Sequence, residues 1–251
     1  LLADFRYFCV AWRPGRRASY GIAGEISQPE TGLAFRPRSK ILPQSSMGTL
    51  MQSAVEQYFS DAARAYDKRN GKSLWAWQRR REATIVMKLL GSVDGDQSLD
   101  LGCGSGFYTR LLLKGGAHHI TAVDFSSQML ANLRDENVRQ LRADAATFTD
   151  SVRASSMICA GLLEFVDRPI DVLVNARRHA AGNARLVCLV PPPTWSGRLY
   201  KRYHGGHGVA VNLISRLDLI GLGEQSGWRP DGHQLVRPFS LVMRFVSGDT
   251  P

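Results

Sequence analysis

The sequence predicts a doubly wound α/β fold with a mainly parallel sheet, and three observations carry that expectation. Short β-branched and apolar runs alternate with helical patterns through most of the chain. One such run, Ser98-Leu99-Asp100-Leu101, passes straight into the glycine-rich turn Gly102-Cys103-Gly104-Ser105-Gly106 and from there into a helical pattern. The 251 residues, 44% of them hydrophobic, suffice for one domain with a sizeable core. No apolar run approaches the roughly 18 residues that span a bilayer, so a soluble protein is the expectation.

Residues 1–46 lack an initiator methionine and any sustained period, and they scatter Arg13, Arg16, Arg17, Arg36, Arg38 and Lys40 among prolines and glycines. They supply +4 of the net charge of +10 and read as a flexible, upstream or non-native extension, with Met47 opening the regular chain. Ser53 and Glu56 then have the spacing of a capping box, and Val55, Phe59, Ala62, Ala63 and Tyr66 share one helical face. A second helix is expected over residues 74–90, with Trp77, Ile85 and Leu89 on one side and Arg79-Arg80-Arg81 in its middle. Such a run is either a solvated face or, with Arg198, Lys201 and Arg202, an attractor for an anionic substrate or RNA phosphates.

The first strand delivers Asp100 two residues ahead of Gly102. A loop that binds a dinucleotide carries an apolar residue there, because a carboxylate would repel the pyrophosphate. Gly102, Gly104 and Gly106 also follow G-x-G-x-G and not G-x-G-x-x-G. An acid at this point suits a cofactor with positive charge, as in the ammonium and sulfonium of S-adenosylmethionine (SAM). The second strand, Ile120-Thr121-Ala122-Val123, ends in Asp124 roughly 20 residues beyond the glycines, the reach of a ribose-binding acid. Phe125, Ser126 and Met129 follow it, and the third strand, from Val138, runs out at Asp144-Ala145.

The alternation continues with a strand over 155–161, a helix over 169–181 and a strand over 185–190 that three prolines, Pro191 to Pro193, stop. Residues 195–203 read as a short helix and His204-Gly205-Gly206-His207-Gly208 as a loop. Residues 215–226 read as the last helix, capped by Gly227, with strands at 234–236 and 239–246. Fourth-strand residues Ala160, Gly161 and Glu164 fall outside a carboxyl strand end, where open α/β sheets bind ligands.

Taken in order, DLGCGSG, AVDFSSQML and ADA resemble the class I SAM-dependent methyltransferases, over about residues 55–246. The segment from Tyr58 to Asp67 is similar to the Y-F-x-x-x-A-x-x-Y-D stretch of small-molecule methyltransferases of quinone, biotin and tetrapyrrole biosynthesis. The resemblance implies a Rossmann-like, seven-stranded, mainly parallel sheet with an antiparallel last strand and a helical N-terminal lid. It divides residues 47–251 into lid helices at 53–90, a cofactor half at 96–166 and an acceptor-side half at 167–251, with an insertion at 191–214 over the acceptor pocket.

It also implies that Asp100, Gly102, Cys103, Gly104 and Gly106 line the methionine end of SAM, with Tyr66 nearby. Asp124 would hold the ribose, Phe125 and Met129 would pack near the adenine, and Ser126 is counted among the cofactor-binding residues. Asp144 would accept from the adenine amino group, Ala145 would offer its backbone N–H, and Ala160 and Gly161 would border the cofactor. Related chains often read L-E-H where this one has Leu163-Glu164-Phe165, so no catalytic histidine is carried over there. His204, His207, Tyr66 and Glu164 are the candidates for a base. The stretch 185–245 is loosely similar to magnesium-protoporphyrin and small-molecule O-methyltransferases.

The expected reaction is in-line methyl transfer to an oxygen, nitrogen or carbon of a small organic metabolite of aromatic or anionic character, with Trp195, Tyr200, Tyr203 and Trp228 available to line its pocket. The alternatives are an RNA or protein methyltransferase and a SAM-binding protein without activity. No metal is expected, since the two histidines lack a third ligand nearby. Cys9, Cys103, Cys159 and Cys188 form no C-x-x-C pair and suggest a reducing cytoplasm.

Overall fold

The computed structural model describes residues 74–133, 135–206 and 208–248. The expectations for the extension at 1–46, for the helix at 53–66 with Tyr66, and for His207 lie outside the described residues. The chain runs α1 (Leu74–Leu90), β1 (Gln97–Leu101), α2 (Phe107–Lys114), β2 (His119–Asp124), the single turn α3 (Ser127–Leu130), β3 (Val138–Arg142) and β4 (Ala154–Ala160). A 3-10 turn (Leu163–Phe165), α4 (Pro169–Arg178), β5 (Ala180–Val190), α5 (Trp195–Gly205), α6 (Arg216–Gln225), β6 (Trp228–Val236) and β7 (Ser240–Ser247) complete it. Among the described residues no helix is long and apolar enough to cross a membrane.

The strands form one seven-stranded sheet in the order β3-β2-β1-β4-β5-β7-β6. The first five are parallel, and β7 enters antiparallel between β5 and β6. Strands in the middle of a parallel sheet are covered on both faces, which is why the second halves of β4 and β5 read as apolar runs and why β1 is buried even at Ser98 and Asp100. Alternate residues feed two cores. Leu99, Leu101, Met157, Cys159 and Leu186 pack with Val172, Leu173 and Ala176 of α4. Ile120, Ala122, Ile158 and Val187 pack with Val86 and Leu90 of α1 and Leu112 of α2. Strand order reverses between β1 and β4, so the crevice where open α/β sheets bind ligands lies at their carboxyl ends.

Three local expectations are corrected. Helix α1 buries Ala76, Ala83, Val86 and Leu90 and turns Trp77 outward, 47% exposed under the Arg81 guanidinium at 4.5 Å. Polar contacts set this rotation: Gln78 Nε2 donates to the Val236 carbonyl at 3.2 Å, and the Ser240 hydroxyl donates to Glu82 Oε1 at 2.5 Å. Helix α4 stops at Arg178, because His179 turns inward, stacks on Phe148 at 4.3 Å and bonds the Asn175 carbonyl at 2.9 Å. Strand β5 therefore begins at Ala180, pairs with Ala154, and absorbs a register shift near Asn183, whose φ is +57°.

Trp228 is the third correction. It does not line a pocket: it is 1% exposed within the α4-side core, and its Nε1–H donates to the Leu173 carbonyl at 3.0 Å. That bond ties the start of β6 to α4. Trp228→Ala is expected to lower unfolding free energy by about 3–5 kcal/mol. Trp228→Phe keeps most of the packing and loses only the indole donor, since the Leu173 carbonyl lies inside α4 and keeps its helical partner, for about 0.5–1.5 kcal/mol. Urea unfolding of both variants checks the ranking.

Candidate functional site

The glycine-rich turn is welded to the neighbouring strand by backbone chemistry. Gly102 N–H and Cys103 N–H both donate to the Val123 carbonyl, at 2.9 and 3.0 Å. Gly104 N–H donates to Asp124 Oδ2 at 2.9 Å, and Ser126 N–H donates to the other carboxylate oxygen at 2.9 Å. Asp124 thus holds the loop after β1 and the loop after β2 in one geometry. Its own carbonyl accepts from Ala143 N–H at 3.1 Å, which brings the end of β3 into the same cluster.

Gly106 caps α2 in the left-handed region at φ +83°, and a Cβ there would stand 1.5 Å from Leu133 Cδ1. Gly104, also left-handed at φ +54°, is different: among the described residues a Cβ would meet nothing within 4 Å. One glycine is demanded by its protein neighbours, whereas the other keeps open space beside the loop. The far side of the loop is closed, since Gly102 presses on Leu162 of the β4 loop.

Asp100 is buried below this opening and takes the Thr109 hydroxyl on Oδ2 at 2.6 Å. Burial raises its carboxyl from 3.8 to about 7, Asp124 adds to the rise, and Thr109 opposes it. Burial pushes the Cys103 thiol up as well, with Asp100 and Asp124 adding, so it stays neutral and is no nucleophile. Ser126 Oγ accepts from Met129 N–H at 3.3 Å, Met129 is buried and Phe125 half-buried. Asp144 Oδ1 accepts from Ala146 N–H at 2.8 Å, and Asn175 Nδ2 donates to the carbonyls of Ala145 and Phe148 at 3.1 and 3.0 Å. The structure therefore brings Asp100, Gly102, Cys103, Gly104, Asp124, Phe125, Ser126, Asp144 and Ala145 to one end of the sheet, beside Ala160 and Gly161 at the end of β4.

The candidate bases are arranged differently from the sequence expectation. His204 belongs to the last turn of α5 and not to a loop. It is buried because Tyr200, Tyr203 and Phe165 surround its ring at 4.3, 5.3 and 5.8 Å. Glu164, in the 3-10 turn after β4, is 3% exposed, and burial raises its carboxyl from 4.5 to about 8, with Glu82 adding. The segment after α5 lies across it, Asn212 N–H donating to the Glu164 carbonyl at 2.8 Å and Asn212 Nδ2 to the Val166 carbonyl at 3.1 Å. Two contributors were missed from sequence. Thr109 sits three residues past Gly106 as one more polar helix residue, and Glu82 follows three arginines and resembles a solvated face; burial raises the Glu82 carboxyl too.

Residues 99–188 match the model of a family described as a methyltransferase domain. The chain is similar in structure to magnesium protoporphyrin IX methyltransferase from Synechocystis PCC 6803 with bound S-adenosylhomocysteine (SAH), at 16% identity, with 78% of this chain and 100% of that one covered and a TM-score of 0.63. It is similar to 1,6-didemethyltoxoflavin-N1-methyltransferase of Burkholderia thailandensis, bound to 1,6-didemethyltoxoflavin and SAH, at 19% identity, 88% and 94% coverage and a TM-score of 0.61. A third similar chain comes from a complex of the Haloferax volcanii Trm112 activator with a methyltransferase, at 16% identity, 75% and 97% coverage and a TM-score of 0.63. A search of the curated proteins finds no match. At these identities the likeness to the solved structures is one of fold.

The raised Asp100 carboxyl has a measurable consequence for the ligand-free chain. Between 3.8 and about 7 the folded state keeps a proton that the unfolded state has lost, so this group's contribution to stability falls as pH rises across that window and is level above it. Asp100→Asn, which still accepts from Thr109, is expected to remove that part of the slope. Urea midpoints of both proteins across the window check it: the variant gains on the parent as pH rises. Identical pH profiles for the two would refute the assignment.

Proposed function

We propose that the chain is a class I SAM-dependent methyltransferase, in keeping with its domain match over residues 99–188, and that it methylates a small, planar organic molecule at the carboxyl ends of β1 and β4. The observation that carries this reading is the open side of Gly104 in a loop held by the buried Asp124, whose carboxyl acts on the equally buried Asp100. A pyrophosphate would be repelled there, whereas an ammonium would replace the proton on Asp100. The residues fit SAM: Asp100, Gly102, Cys103, Gly104 and Gly106 would hold its methionine end, and Asp124 and Ser126 its ribose. Phe125, Met129, Asp144 and Ala145 would hold its adenine, with Ala160 and Gly161 beneath the reacting end. SAM supplies a methyl group already activated on a sulfonium.

The protein's own work is then to align the acceptor and keep water out, an orientation effect worth about 7 kcal/mol or more. Tyr200 and Tyr203 of α5 are half-buried and give the acceptor aromatic neighbours, while Arg198, Lys201 and Arg202 lie exposed on the same helix. An acceptor with an aromatic body and an anionic outer substituent fits that distribution. The Burkholderia relative binds a flat heteroaromatic and the Synechocystis relative is named for a porphyrin, which is in keeping with this choice. Two of the three α1 arginines stand over aromatic rings, Arg79 over Phe107 and Arg81 over Trp77, each at 4.5 Å, so the run is no continuous free stripe for RNA. Free buried thiols at Cys103, Cys159 and Cys188 suit a reducing cytoplasm.

Titration calorimetry with SAM in buffers of different ionisation enthalpy tests the cofactor reading. Near neutral pH, binding is expected to release a proton from Asp100. Asp100→Asn is expected to abolish the release and weaken binding by about 1.5–3 kcal/mol. Tritiated SAM offered with small aromatics, total RNA and protein tests the acceptor class; label in RNA or protein alone refutes the small-molecule reading.

A further inference from the structure

Glu164 is not explained by packing. Among the described residues its buried Oε2 has no hydrogen-bond partner, an arrangement that costs about 1–3 kcal/mol for a polar atom. The residue stands at the end of β4, beside the strand that delivers Asp100. Its Oε1 lies 3.8 Å from where a Cβ on Gly161 would be, and Leu162 of the same loop abuts Gly102 of the glycine turn. The orphaned oxygen therefore belongs to the carboxyl end of β4 that adjoins the cofactor loop.

Resting on the reading above, we propose that Glu164 takes the proton from the acceptor's reacting group, and that this group is a hydroxyl or amine and not a carboxylate. The transfer balances simply: the acceptor heteroatom gains the methyl carbon, the carbon–sulfur bond breaks with its electron pair left on sulfur, and the heteroatom's proton passes to Oε2. The groups around Glu164 support the choice of nucleophile. Glu82 acts on it from α1, and Glu164 and Asp100 both face Cys159 of β4. On the α5 side His204 packs against Phe165, the next residue. A carboxylate brought to this point would join three acids, whereas a neutral O–H or N–H offers the donor that Oε2 lacks. A carboxyl held at about 8 is also well matched to base catalysis near neutral pH.

The full-length protein, its Glu164→Gln and its Glu164→Leu variants test this with tritiated SAM and a panel of phenols, arylamines and aryl carboxylates. Transfer to a phenol or arylamine is expected, with kcat/KM rising through about pH 8 in the parent. Glu164→Gln is expected to lose that pH dependence and about 100-fold to 10,000-fold in rate. SAH affinity should be unchanged, which also reports that the variant folds. Two readouts do not depend on turnover: the infrared band of a protonated carboxyl, titrating near pH 8 in the parent and missing from Glu164→Gln, and a higher melting temperature for Glu164→Leu, which removes an unsatisfied polar atom. Intact activity in Glu164→Gln, label on carboxylates alone, or no titrating band overturns the inference and leaves the methyltransferase reading standing. Failure to bind SAH overturns both.

Discussion

Everything at this end of the sheet depends on the Asp124 carboxylate. Its two oxygens accept from the backbone of two different loops, Gly104 N–H and Ser126 N–H, and its carbonyl accepts from Ala143 N–H of a third segment. Charge-assisted bonds of this kind are about twice as strong as neutral ones, and here they fix loop geometry without any ligand. The glycine-rich loop is thus pre-formed, and a ligand's binding energy need not be spent ordering it.

The same region carries an opposing cost. Asp100, Glu82 and Glu164 are all held above their ordinary titration range by burial, and neighbouring acids raise Asp100 and Glu164 further. Each carboxyl is tolerable in the free protein because it keeps its proton, so the interior is polar without being strongly charged. A cation arriving at Asp100 or a proton donor arriving at Glu164 relieves that arrangement. The strain on these acids and their chemical usefulness are one property, as expected where active groups sit in clefts.

The cluster at the carboxyl ends of β1, β2 and β3 was legible because its pattern is local in sequence. Asp100, the three glycines and Asp124 occur at strand ends, and strand ends follow from apolar runs that stop. The acceptor half is built by packing between distant segments, which leaves no spacing to read. His204 looked like a loop residue beside glycines, yet Phe165 from the β4 loop and two tyrosines of α5 bury it. Trp228 looked free to line a pocket, yet its indole N–H belongs to α4. Helix α1 was misread for a related reason: its inward face holds Gln78 and Glu82, whose partners on β6 and β7 lie more than 150 residues away.

The net charge of +10 and the acidic floor of the site then fit together. The long-range field of an excess of basic groups raises the local concentration of anionic molecules at the surface. At close range the low dielectric makes the nearest groups decisive, and around Glu164 those are carboxyls that burial already keeps from ionising, a poor setting for a further anion. On the proposed function, a molecule with a negative group at one end would be drawn in by that end and turned so that its neutral end faces the carboxyls. Orientation by two opposed charge environments would then be enough to select which atom reacts, even without a residue dedicated to the acceptor's ring.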